Sequence, residues 1–152
     1  MITIGMRASP TELTFAVLNT KKMTVINVEA IVVPLAFEMP QKLKHIRSNL
    51  LDVLREYEVK RAGIRLAEPT AQSINVERIY IEGVVQEAFA SSDLKGFYTG
   101  AIATIAAKIG VDRAAIKRMV GEGDNELDIA GWADFNDKQR EAVLTALGAA
   151  SV

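Results

Sequence analysis

Apolar positions at the start of the chain fall in short runs of strand length, and further along they take helical spacing. Three runs, Met1 to Met6, Leu13 to Leu18 and Met23 to Val33, have the apolar and β-branched content of strands. Their connections, "RASPTE" and "NTKK" (Asn19 to Lys22), are short enough for hairpins, so the three runs predict an antiparallel meander. Pro34 and Pro40 then punctuate the chain. In "QKLKHIRSNLLDVLREY", Leu43, Ile46, Leu50, Val53, Leu54 and Tyr57 recur at helical spacing with charges between them, predicting a helix that lays one stripe on the sheet.

"VKRAGIRLAEPT" offers a short strand at about Arg61 to Leu66. It is stopped at Glu68-Pro69, because the residue before proline avoids helix. Following a helix, this strand is free to pair in parallel with an earlier one. A second helix, about Ile74 to Ala90, has an apolar stripe too wide for one buried face: Val76, Ile79, Tyr80, Ile81, Val84, Val85, Ala88 and Phe89. "KGFYTG" predicts a fifth strand and "AIATIAAKIG" a helix, and Asp112 caps "RAAIKRMV". An acidic loop leads to Trp132. The last helix starts at "NDKQ", where Asn136 and Gln139 have the spacing of a capping box.

Composition narrows the chemistry. The chain has 152 residues, 49% hydrophobic, a length suited to one domain over residues 1–152 with a substantial core. A net charge of -1 argues against bulk electrostatic attachment to nucleic acid or a membrane and leaves only weak, local nucleic-acid contact. With no cysteine and one histidine, His45, there is no thiolate nucleophile, no zinc site of the usual type and no histidine cluster. Ser9 and Ser73 have no histidine partner for a triad. No signal-peptide pattern and no spanning apolar segment stand out, so the default expectation is a soluble cytoplasmic protein with no membrane partner and no cofactor.

The predicted order is that of the α/β ribonuclease H-like fold: three antiparallel strands, a helix, a strand, a helix, a short strand and terminal helices, giving a mixed five-stranded sheet flanked by helices. "IGMRAS" (Ile4 to Ser9) resembles the opening strand of the Holliday junction resolvase branch of that superfamily, where glycine, an apolar residue and aspartate precede a turn containing serine. "AGIRLAEP" (Ala62 to Pro69) resembles the strand bearing that branch's second carboxylate, and "REAVLTALGAA" its alanine-rich last helix. "IRLAEPT" is also similar to a small uncharacterised bacterial family of this fold with a degenerate active site, whose corresponding strand bears arginine.

In catalytic members, the resemblance implies, carboxylates from the first and fourth strands and the last helix hold two divalent ions for phosphodiester hydrolysis. Here those positions fall on Arg7, Arg65 and Glu141, with Asp137 one turn before Glu141. A guanidinium has no lone pair to give a metal and stays charged. The expectation is a non-catalytic binding or assembly module in which Arg7 and Arg65 replace the metal as counter-charge to Asp137, Glu141 or Glu68. Alternatives are a fork for a phosphate or carboxylate, making a small-anion receptor, and a metal-dependent nuclease using the displaced set Glu68, Asp137 and Glu141. Lys108, Arg113, Lys117 and Arg118 are weaker phosphate candidates, better read as a solvated helix face. In the resolvase branch the second helix contributes to a two-fold dimer, which predicts a homodimer through the helix around Val76 to Phe89, including some of Val76, Tyr80, Ile81 and Val84.

Overall fold

The computed structural model describes residues 1–152. Its sheet is built from β1 (Ile2–Ala8), β2 (Glu12–Asn19), β3 (Thr24–Val32), β4 (Arg61–Arg65) and β5 (Gly96–Gly100), in the order β3-β2-β1-β4-β5. β1, β2 and β3 form the antiparallel meander, and β4 pairs in parallel with both β1 and β5. The first strand of the chain is therefore the central one.

Helices cover both faces. α1 (Met39–Glu56) and α2 (Val76–Ala90) pack on one side; α3 (Ile102–Ile109), α4 (Arg113–Gly121) and α5 (Asp137–Gly148) pack on the other. Side-chain alternation on each strand divides the core. On β2, Leu13, Phe15 and Val17 join Ile46, Leu50, Ile81 and Phe89, while Ala16 and Leu18 join Ile105, Trp132 and Val143. No helix is long and apolar enough to cross a membrane.

Local chemistry sets the ends of the helices. α1 begins earlier than its apolar spacing suggests, with Pro40 inside its first turn, where a missing N–H costs nothing. α2 begins at Val76 because the Asn75 side chain accepts from the Arg78 N–H at 3.0 Å. Asp112 caps α4 by accepting from Ala115 N at 2.7 Å, and the Asn136/Gln139 capping box opens α5. Gly110, at φ 76°, closes α3 in the left-handed conformation that favours glycine.

The wide apolar stripe of α2 resolves into two parts. Ile81, Val85, Ala88 and Phe89 face the sheet, whereas Val76, Ile79 and Tyr80 are exposed. Ile81 is fully buried, so the expectation that it is available to a second copy is corrected: the sheet already takes it.

Candidate functional site

The site owes its position to how closely α5 approaches the central strands. Alternation sends Thr3, Gly5 and Arg7 of β1, and Arg61, Gly63 and Arg65 of β4, toward α5. A Cβ on Gly5 would lie 2.1 Å from Ala142 O and 2.2 Å from Ala146 N, so the helix backbone rests directly on the strand and only glycine fits. Side chains pin the contact. Thr3 Oγ1 donates to Ala146 O and Tyr98 Oη to Thr145 O, each at 2.8 Å, and Arg61 Nη1 donates to Ala150 O at 2.6 Å. Burial and the loss of water around the Tyr98 phenol push its pKa above the usual range, the hydrogen bond to Thr145 opposing this only in part.

With α5 held flush, Glu141 lies over the ends of β1 and β4, where Arg7 and Arg65 are partners in register. Its Oε2 takes Arg7 Nε at 2.6 Å and stands 3.5 Å from Arg65 Nε. The second pairing is ionic only, because Arg65 Nε is buried without a hydrogen-bond acceptor. Each arginine also turns Nη1 onto the carbonyl of the following residue, Ala8 and Leu66 respectively. Arg65 is closed in on the other side by Glu68, whose Oε1 lies 3.3 Å from Arg65 Nη2. That same oxygen accepts from Ile102 N at 3.1 Å, so Glu68 caps α3 from a distant loop, and its other oxygen lies 3.8 Å from Arg113 Nη2.

Two further charges belong to this cluster and were not visible in the sequence. Glu82 is buried on α2, and its Oε2 accepts from Arg78 Nε and from Ala67 N, both at 2.9 Å. Arg78 is drawn below the usual arginine range, first by burial and then by the positive charge of Arg7, with Arg65 adding to the effect and Glu82 opposing it. The only sequence signal was a carboxylate between Ile81 and Val85 with an arginine one turn before it, a pattern equally common on solvated helices.

The remaining candidates lie apart. Asp137, expected beside Glu141, is exposed at the first turn of α5 and makes no ion pair within 4.0 Å. Lys108 sits over the Tyr98 ring and Arg118 pairs with Asp124 and Glu126, whereas Arg113 reaches Glu68 and Lys117 lines a pocket shared with Arg65, Glu68 and Glu141. His45 Nε2 lies 3.0 Å from Val32 O, away from the site.

A pair of divalent ions would need converging oxygen donors. No three acidic or histidine side chains converge in that way, and guanidinium groups adjoin both Glu68 and Glu141, so these residues do not fit a metal pair.

No protein-family model matches the chain, and no curated protein matches it at a significant level. Solved structures do. A Thermus thermophilus RuvC structure superposes with a TM-score of 0.74 over 99% of this chain and 93% of that one, at 14% sequence identity. T. thermophilus RuvC in complex with a Holliday junction substrate gives a TM-score of 0.70 over 99% and 92%, at 15% identity. The chain thus has the ribonuclease H-like fold seen in RuvC, with a mixed five-stranded sheet of three antiparallel and two parallel strands.

Proposed function

We propose that this protein is a non-catalytic ribonuclease H-like binding or assembly module, in which arginines take the place of metal-binding carboxylates. The observation that carries the reading is that Glu141 Oε2 is engaged by both Arg7 and Arg65, at 2.6 and 3.5 Å. Two fixed cations at one carboxylate oxygen supply the charge that a divalent ion would bring and occupy the approach it would need. The displaced acidic set is disfavoured by the same geometry. Arg65 stands between Glu68 and Glu141, and Asp137 is exposed without a partner in the cluster.

The test is direct. Purified protein with magnesium or manganese is expected to leave single-stranded, duplex and four-way branched DNA uncut above a control. Cleavage that disappears in Glu141→Gln would overturn the reading. RuvC has been solved with a Holliday junction substrate; for this chain, at net charge -1, we expect branched-DNA binding to be weak and lost at moderate salt.

Assembly is the second part of the proposal. Val76 and Tyr80 are 53% and 50% exposed and share one stripe of α2 with half-buried Val84, an apolar strip that a second copy would cover. A homodimer through this stripe is expected in sedimentation at tens of micromolar protein, with Tyr80→Glu monomeric; a wild-type monomer would remove it.

A further inference from the structure

A pocket of about 290 Å³ opens where the end of β4 meets α3, α4 and α5. Its apolar floor is Ile102, Ile116 and Val120, each at most 8% exposed. Arg65, Glu68 and Glu141 close the inner side, and Arg113 and Lys117, one turn apart on α4, stand at the rim.

The four basic residues around α4 therefore divide. Lys108 and Arg118 spend their charge elsewhere, on the Tyr98 ring and on Asp124 and Glu126. Arg113 has one ion contact, Nη2 to Glu68 Oε2 at 3.8 Å, too long for a hydrogen bond, and its side chain is 55% exposed. Lys117 is exposed and makes no ion pair within 4.0 Å. Both turn free donors to solvent at the same opening.

The carboxylates of the pocket are already committed. Glu141 Oε2 is engaged by Arg7 and Arg65, and Glu68 takes Arg65 Nη2 and the Ile102 N–H. Asp112 and Asp137, at the starts of α4 and α5, do not line the pocket. Arg7 and Arg65 thus balance Glu68 and Glu141 on the inner side, and the charges left over are those of Arg113 and Lys117 at the rim. Like charges one turn apart on a helix repel, and an anion bridging them turns that cost into attraction.

We infer, on the reading that no metal occupies the cluster, that this pocket binds a small organic anion: one carboxylate or phosphoryl head on Arg113 and Lys117, and a compact apolar body over Ile102, Ile116 and Val120. A guanidinium fork beside an ammonium point charge suits an oxyanion head. The body is uncharged because the inner charges are already balanced. The volume, at the small end of ligand sites, holds about one ring.

The experiment is a titration of the intact, isotope-labelled protein followed by its amide NMR shifts, in EDTA at matched ionic strength, with phenyl phosphate, benzoate, inorganic phosphate and benzyl alcohol. Phenyl phosphate and benzoate are expected to give saturable shifts in α4 and around Ile102, the tighter of the two naming the head group. Inorganic phosphate lacks the body and benzyl alcohol the charge, so each should bind about fivefold more weakly or worse. Arg113→Gln and Lys117→Gln, both at exposed positions that tolerate the change, should each weaken binding about fivefold, and the double variant should lose it. Arg118→Gln removes the same charge from α4 outside the pocket and should bind within about twofold of wild type. No saturable shift at tens of millimolar ligand, shifts that map elsewhere, or an equal loss in Arg118→Gln overturns the inference. So does equal or tighter competition by a short oligonucleotide without terminal phosphates, which would make the pocket part of a nucleic-acid surface. Magnesium in place of EDTA separates this site from the reading it rests on. Binding that requires magnesium refutes the metal-free cluster and this assignment with it, whereas no binding in either condition refutes the assignment alone.

Discussion

Replacing Glu141 with glutamine removes one negative charge from the point where two guanidinium groups meet. Its side chain is 12% exposed and those of Arg7 and Arg65 are 17% and 8%, so solvent screens the pairs poorly. A pair of unit charges about 4 Å apart is worth about 4 kcal/mol at an effective dielectric of about 20, so the two contacts total roughly 8 kcal/mol before desolvation. The glutamine recovers the several kcal/mol spent dehydrating the carboxylate, which leaves a net loss of about 3–5 kcal/mol. Against a total stability of about 5–15 kcal/mol that is a large share. The melting temperature should fall by about 10 °C. Urea unfolding at neutral pH, followed by fluorescence of the single, buried Trp132, measures the loss as a shift in midpoint at constant slope. If Glu141 instead belonged to a group of mutually repelling carboxylates awaiting a metal, the substitution would relieve repulsion. A loss below about 1 kcal/mol, or a gain, therefore refutes the counter-charge argument.

The other predictions use the same apparatus. Arg65→Gln should be destabilising but less so than Glu141→Gln, about 2–3 kcal/mol, because losing its contacts to Glu68 and Glu141 is offset by relief from Arg7 and Arg78; a stabilised Arg65→Gln would reverse the sign of the argument. Gly5→Ala drives a methyl into the α5 backbone and should cost about 3 kcal/mol or more, whereas Gly83→Ala, with open space at its Cβ, should be neutral or mildly stabilising by urea midpoint. Tyr98 has a folded pKa raised above its unfolded value of about 10, so the stability it contributes is present below pH 10 and lost as pH rises beyond it. Tyr98→Phe should flatten that alkaline decline, at a cost of about 1 kcal/mol at neutral pH for the lost bond to Thr145 O.

Much of the fold could be read from periodicity because each element carries its own evidence. The meander followed from apolar runs joined by short polar turns, and α5 from the Asn136/Gln139 pair that the structure shows bonded as a capping box. Boundaries shifted where one side chain decided them, as Asn75 does for α2. The site was partly legible: Arg7, Arg65 and Glu141 came through family resemblance, which carries three-dimensional neighbourhood implicitly. Asp137 was grouped with Glu141 because helical spacing places it on a similar face, but four residues are about 6 Å of travel, and there the side chain is in solvent. Arg78, Glu82 and the capping role of Glu68 depend on how the loop after β4 folds back over α2 and α3, and no local pattern encodes that.

The contact of α5 with β1 also bears on how the chain folds. Thr3 meets Ala146 across 143 residues and Arg7 meets Glu141 across 134, so the centre of the sheet is completed by the most distant part of the sequence. Before that helix docks, pairing β1 with β4 sets Arg7 opposite Arg65 in register with no Glu141 to neutralise them. Charge therefore opposes the sheet while it forms and supports it once it is finished. Added neutral salt should then quicken refolding by screening the arginines while they are still exposed, and change unfolding little, because the finished pairs are shielded from solvent.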